Sequence, residues 1–179
     1  MNRILIVVDV QNDFIDGSLG SKEAKDIIPK VKEKIDHYVE LGNVVIFTRD
    51  THSDASYLSS AEGKKLPIKH CIKGTTGWQI GLETIPGAYE VVDKNTFGYL
   101  PWQHVLDKYI YTDSDNPKTI ELCGLDTDIC VITNALILKT MYPSMEVTVD
   151  ASCCAGSTPG KHTAALEVMK SCQINVIGE

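Results

Sequence analysis

The sequence predicts an α/β protein whose parallel sheet is covered by helices on both faces. Three observations carry this. Six short apolar runs rich in β-branched residues recur at 4–8, 44–47, 91–92, 119–122, 147–149 and 174–177. Helical patterns lie between several of them, and strand-helix alternation is the pattern of a parallel sheet. Reactive polar residues follow the runs directly, where an open parallel sheet places its ligand site.

The run at 4–8 reads as the first buried strand and stops at Asp9. A helix is expected from Pro29, with Val31, Ile35, Tyr38 and Val39 on one face and Gly42 as its stop. The run at 44–47 then closes a strand-helix-strand unit. The stretch 51–89 has no strong periodicity, and segments of that length in compact domains are usually functional. A second helix is expected after the fourth run, with Thr127 as N-cap and an apolar stretch through Leu138. A third opens at Thr158 with Pro159 in its first turn, and Ala165, Leu166, Val168 and Met169 are expected to face inward.

The chain has 179 residues, the size of one domain, and no repeat or linker divides it, so residues 1–179 are read as a single domain. At 43% hydrophobic and 23% charged it can bury roughly 70% of its unfolded surface, enough for a full core without staples. The net charge of -7 is spread along the chain, which argues against a nucleic-acid partner. The first apolar run is too short for a signal-peptide core or a membrane span, so a cytoplasmic protein without a membrane partner is expected. Six cysteines without CxxC pairs argue against a disulfide or zinc framework.

One edge of the predicted sheet collects the chemistry. Asp9 ends the first run, Asp50 and His52 follow the second, Asp93 and Lys94 follow the third, and Cys130 lies in the first turn of the helix after the fourth. With Thr127 as cap, the helix dipole would lower the Cys130 pKa and favour a thiolate. Taken alone, Cys130 reads equally as a small buried hydrophobe. Asp9 is either a partly buried base or a hydrogen-bonding member of the turn with Gln11, Asn12 and Asp13. Lys94 by itself reads as solvated. Asp50 and His52 would point to one side of an extended segment, and His70 adds a third donor. One carboxylate and two imidazoles suit zinc, iron or manganese, although unrelated surface groups would leave the same short pattern. His37 and His162 read as structural or solvated, and the adjacent Cys153 and Cys154, placed after the fifth strand, as packed thiols.

These residues fall in ordered motifs. DVQNDF (9–14), RDTH (49–52) with HCIKGTTGW (70–78), DKNTFG (93–98) and GLDTDICV (124–131) resemble the motifs of isochorismatase-like cysteine hydrolases, and within them the nicotinamidase group. The resemblance implies a three-layer α/β/α fold with a six-stranded, mainly parallel sheet. It implies a catalytic set of Asp9, Lys94 and Cys130, and a divalent metal, zinc first, with iron or manganese also possible, held by Asp50, His52 and His70. It also implies a cis peptide between Leu125 and Asp126, with the backbone N–H groups of Asp126 and Cys130 forming an oxyanion hole. The expected reaction is hydrolysis of a small amide, nicotinamide first, through a thioester on Cys130. A homo-oligomer is expected as well.

The chain departs from the nicotinamidase pattern at Ile129, where an aromatic residue or histidine commonly precedes the nucleophile, and in the short NTFGYLPW stretch (95–102). Phe14, Phe97, Tyr99, Trp102 and Ile129 are the candidates for substrate walls, with core packing as the alternative for the aromatics. The competing functions are a metal-free hydrolase of another small amide, carbamoyl compound or vinyl ether, and a binding module that has lost catalysis. A thiol redox protein would need a resolving cysteine, and Cys123 falls within a strand.

Overall fold

A computed structural model describes residues 3–82, 89–110 and 119–179. In chain order the elements are β1 (Arg3–Val8), α1 (Asn12–Ile15), α2 (Lys22–Glu40), β2 (Val44–Asp50), a 3-10 turn (Tyr57–Ser59), α3 (Ala61–Lys65), β3 (Glu90–Lys94) and α4 (Trp102–Ile110). Then follow β4 (Thr119–Leu125), a π-helical turn (Thr127–Val131), α5 (Ile132–Met141), β5 (Glu146–Ala155), α6 (Pro159–Ser171) and β6 (Asn175–Ile177). The six strands form one sheet in the order β3-β2-β1-β4-β5-β6, and every pairing is parallel. In β1, side chains alternate between the two faces, yet Ile4 to Val8 are all 0% exposed, so both faces of the sheet centre are covered.

Several boundaries differ from the sequence expectation. The helix expected from Pro29 starts two turns earlier at Lys22, because Ser21 caps it by accepting from the Ala24 N–H. Pro29 therefore sits inside α2. Val31, Ile35 and Tyr38 are buried as expected, and Gly42 follows the helix with φ of 67°. Thr158 does cap α6, accepting from Lys161 N, with Pro159 in the first turn. Ala165, Leu166 and Met169 face inward, but Val168 is 49% exposed, since one residue before Met169 is about 100° around the helix. Cys153 and Cys154 lie inside β5, which runs on to Ala155, rather than after it. Helix α4 was not foreseen, although Trp102, Val105 and Leu106 show helical spacing and form its buried face.

Register positions the site. Asp50 pairs directly with Lys94 across β2 and β3, and Val8, one residue before Asp9, pairs with Gly124 across β1 and β4. Gly124 has φ of 119°, and a Cβ there would meet the Val8 carbonyl oxygen at 2.1 Å, so only glycine admits this approach. The carboxyl ends of four adjacent strands thus arrive at one edge in step.

Candidate active site

Asp9 leaves β1 in the left-handed region, with φ of 48°, a conformation that costs a non-glycine residue of order 1–3 kcal/mol and that clusters at functional sites. Its side chain is fully buried. The Thr48 hydroxyl donates to Asp9 Oδ1 at 2.7 Å, and the Lys94 ammonium stands 2.6 Å from Oδ2. Among the described residues Oδ2 has no aligned hydrogen-bond donor, so this oxygen is held by the ion pair alone. Lys94 also donates to Cys130 Sγ at 3.5 Å, which brings the three expected catalytic residues around one ammonium group.

The electrostatics of the trio follow from exclusion of water. Burial alone would lower the Lys94 pKa, but neighbouring negative charge, Asp9 first and Asp50 after it, outweighs burial and holds the lysine as an ammonium ion. Burial raises the Asp9 pKa against the opposing pull of Lys94. The Cys130 thiol is pushed well up, by burial first and by the Asp9 charge second, with Lys94 opposing. This corrects the expectation of a thiol pKa lowered by a helix N-terminus. Asp126 is the cap, Thr127 opens the π-helical turn, and Cys130 is buried where desolvation outweighs the dipole. Burial and the Asp9 charge thus both disfavour the thiolate.

Beside the trio lies a four-donor cluster. One ligand atom from each of Asp50, His52, Glu62 and His70 falls within 4.8 Å of the others. His52 Nε2 is 2.7 Å from Asp50 Oδ2, and His70 Nε2 is 3.4 Å from both Asp50 Oδ2 and Glu62 Oε1. His70 Nδ1 lies 2.9 Å from the Ile68 carbonyl, a bond in which Nδ1 donates and Nε2 is left for a ligand. Burial would lower the His70 pKa, but hydrogen bonds to Asp50 and Glu62 raise it to about 10. Two imidazoles and two carboxylates converging this closely are the donor chemistry of zinc, iron or manganese. Asp50 links the two groups, since its Oδ1 is 3.9 Å from Lys94 Nζ.

Glu62 is the member that sequence spacing did not reveal. It rides on α3, within the stretch without periodicity, and only the path of residues 51–70 brings it to His70. The polar residues of the first motif also do more than turn the chain. Gln11 donates to the carbonyls of Asp50 and Trp78, both at 2.9 Å, and accepts from Asp50 N at 2.7 Å. Asn12 donates to Thr76 O, and Asp13 accepts from Cys71 N at 2.7 Å. These side chains pin the segment that carries His70.

The expected substrate walls divide. Phe14 packs against the His70 ring at a centroid distance of 5.6 Å, beside the cluster. Ile129 is partly buried next to Cys130, Tyr99 is partly buried, and Phe97 is 46% exposed. Trp102 is core rather than wall, fully buried, with its indole N–H donating to Asn134 Oδ1 at 3.0 Å. Asn134 also accepts from Tyr99 N and donates to the carbonyls of Phe97 and Cys130, tying the 97–102 segment to the helix that follows Cys130. A cleft of about 600 Å³ opens beside His52, lined in part by Thr51, Tyr57, Lys73 and Asn95, and Cys130 is not in its wall. The Leu125–Asp126 peptide is cis, as the resemblance implied. His162 contributes no ligand, its Nδ1 being 2.8 Å from the Thr127 hydroxyl.

Comparison with known proteins places this geometry. A family model described as the isochorismatase domain matches residues 3–178. The nicotinamidase/pyrazinamidase of Mycobacterium tuberculosis is 28% identical, with 98% of each chain covered. A probable inactive nicotinamidase of Arabidopsis thaliana is 25% identical, over 95% of this chain and 89% of that relative. The crystal structure of a pyrazinamidase of Pyrococcus horikoshii in complex with zinc superposes with a TM-score of 0.82 at 26% identity, covering 100% of both chains.

Proposed function

This chain belongs to the isochorismatase family, and from that premise we propose that it is a cysteine-dependent, nicotinamidase-like amidohydrolase that releases ammonia from a small amide, nicotinamide first. The observation that carries the reading is the Lys94 ammonium, 2.6 Å from Asp9 and 3.5 Å from Cys130 in a site closed to water. Likeness alone does not decide activity, since the relatives include one described as a nicotinamidase/pyrazinamidase and one described as probably inactive. The arrangement of Asp9, Lys94 and Cys130 supports an active enzyme.

Asp9 takes the thiol proton as the Cys130 sulfur attacks the amide carbonyl carbon. The Lys94 ammonium offsets the negative charge that moves from carboxylate to sulfur. The N–H groups of Asp126 and Cys130 receive the developing oxyanion, and one such donor is typically worth about 10² to 10³ in rate. As the tetrahedral intermediate collapses, the C–N bond breaks and Asp9 passes its proton to the departing ammonia. Water then attacks the thioester and gives its proton to Asp9. The C–S bond breaks, the acid leaves, and the proton returns to Cys130.

Asp50, His52, Glu62 and His70 would hold a divalent metal, zinc first. When bound it would supply Lewis acidity and a centre for binding water. Phe14, against His70, would wall the substrate's flat face, with Ile129, Tyr99 and Phe97 farther out. Six free cysteines support a reducing, cytoplasmic setting. Among the described residues no helix is long and apolar enough to cross a membrane. A homo-oligomer remains part of the proposal, checked by light scattering.

The test is ammonia release from nicotinamide by purified protein, with and without a chelator, beside Cys130→Ala. Release that vanishes in the variant supports the reading, and chelator sensitivity reports the metal's part. Release that persists in Cys130→Ala overturns it.

A further inference from the structure

The first motif reaches beyond Asp9 to the metal cluster. Asp13, in α1, is fixed by its own backbone: its N–H donates to Gly77 O at 3.0 Å, and its carbonyl accepts from Leu19 N at 2.9 Å. Its side chain crosses to the segment that carries His70, where Oδ2 accepts from Cys71 N at 2.7 Å. Cys71 is fully buried and stands in the left-handed region, with φ of 47°. Residues other than glycine rarely adopt that conformation, and they keep it where their surroundings impose it.

This strained torsion lies between two members of the cluster. On one side of the Cys71 N–Cα bond is His70, whose Nδ1 is 2.9 Å from Ile68 O. On the other side the chain is moored to His52, because the Cys71 carbonyl accepts from His52 N at 3.0 Å and Lys73 N donates to His52 O at 2.9 Å. Relaxing Cys71 to a negative φ would swing His70 away from His52, Asp50 and Glu62. The Asp13 carboxylate holds the N–H that this turn would carry off.

Gly77 shows how closely that carboxylate is seated. A Cβ at 77 would lie 2.1 Å from Asp13 Oδ2 and 2.3 Å from both Cγ and Oδ1, so the carboxylate fills the space that a side chain at 77 would take. We propose that Asp13 is a positioning residue of the metal centre: seated on Gly77, it holds Cys71 in the left-handed conformation that sets His70 against His52 before a metal arrives. This rests on reading Asp50, His52, Glu62 and His70 as metal ligands, and it identifies what preorganises two of them.

The experiment measures zinc affinity at one pH by titration against a fluorescent competitor, for the wild type, Asp13→Ala, Asp13→Asn, Gly77→Ala and His70→Ala. The thermal midpoint of each zinc-free protein is measured beside it. Asp13→Ala is expected to weaken zinc binding by about 10- to 100-fold, the usual cost of losing a group that orients a ligand. Asp13→Asn keeps an oxygen for Cys71 N and should stay within about threefold of wild type. Gly77→Ala retains Asp13 but puts a methyl where its carboxylate sits, so it should weaken zinc as Asp13→Ala does. With cobalt in place of zinc, the visible spectrum of Asp13→Ala should move towards that of His70→Ala, as the geometry at the ion changes with its ligands.

Zinc affinity in Asp13→Ala equal to wild type, even with a lowered zinc-free midpoint, would show that Asp13 serves the fold alone and overturns the assignment. If Asp13→Ala does not fold, Gly77→Ala decides in the same way. Zinc binding that His70→Ala leaves unchanged overturns the metal reading, and this one with it.

Discussion

Two buried clusters of charge lie on this sheet and are built on opposite plans. Under α2, Lys34 contacts Glu121 Oε1 and lies 2.7 Å from Asp150 Oδ2. Tyr38 donates to Glu121 Oε2 at 2.6 Å, and Ser152 donates to Asp150 Oδ1 through its N–H and its hydroxyl. Every carboxylate oxygen in that cluster has a donor. At the carboxyl edge, Asp9 Oδ2 relies on one ammonium among the described residues, and three carboxylates crowd around Lys94, His52 and His70. A saturated network has nothing left to offer a ligand and serves the fold. An unsaturated one is costly in the resting protein and is relieved by what binds.

The pKa directions separate the clusters in the same way. Burial tends to raise Asp150, but hydrogen bonds from Lys34 and Ser152 reverse this and hold its carboxyl low. Burial raises Asp9, and Lys94 does not reverse it. One cluster settles charge in place, while the other keeps it ready to move.

The largest effect that would break this contrast is Cys130→Ala, expected to lower ammonia release by about 10⁴- to 10⁶-fold with little change in thermal midpoint. Activity within tenfold of wild type would mean that the unsaturated edge is not a nucleophile's site. Next is Lys34→Met, which strands two buried carboxylates. It is expected to cost about 3–5 kcal/mol in denaturant unfolding, with kcat of the folded fraction retained. A loss of activity without a loss of stability would reverse the roles assigned to the two clusters.

Smaller is the coupling of protons to metal. With His70 raised to about 10, one proton must leave when a metal takes Nε2, so zinc affinity should rise about tenfold per pH unit between pH 6 and 9. Titration with a fluorescent zinc competitor checks this, and a flat profile would mean that His70 is not a ligand. The smallest effect belongs to Asp150. Its folded pKa lies below the ordinary 3.8, so its contribution is full above that value and is lost as pH falls through the lower, folded one. Asp150→Asn should flatten the dependence of stability on pH below about 4, and an unchanged acid limb would show that the cluster does not sense acid.

How much was legible depended on whether the signal was local. The apolar runs announced all six strands: the four central ones are largely buried on both faces and so are apolar along most of their length, while the edge strands β3 and β6, partly exposed, showed as the shorter or less regular runs. Asp9 stood out at the end of such a run and Cys130 in the turn after another, Lys94 entered the expected set only through the motif it belongs to, and Thr158 was legible as a cap with Pro159 behind it. The missed features are non-local. Glu62 reaches His70 through the course of an aperiodic segment, and Asn134 reads as an ordinary helix residue until its four bonds to Cys130, Phe97, Tyr99 and Trp102 are seen. The thiol pKa belongs with these, since a dipole can be inferred from helix position and the desolvation that raises the Cys130 pKa cannot.

By itself, the sequence determined which segments must be strands, which ends carry reactive side chains and which family motifs they form, because periodicity, capping and strand-end position act over a few residues. Only the tertiary structure decided that Asp50 lies in register with Lys94, that Glu62 joins the histidines and that burial pushes the Cys130 thiol pKa up. Each of these depends on distance and burial between residues far apart in the chain. Charge acts through space and through the exclusion of water, and neither is written in the order of the residues.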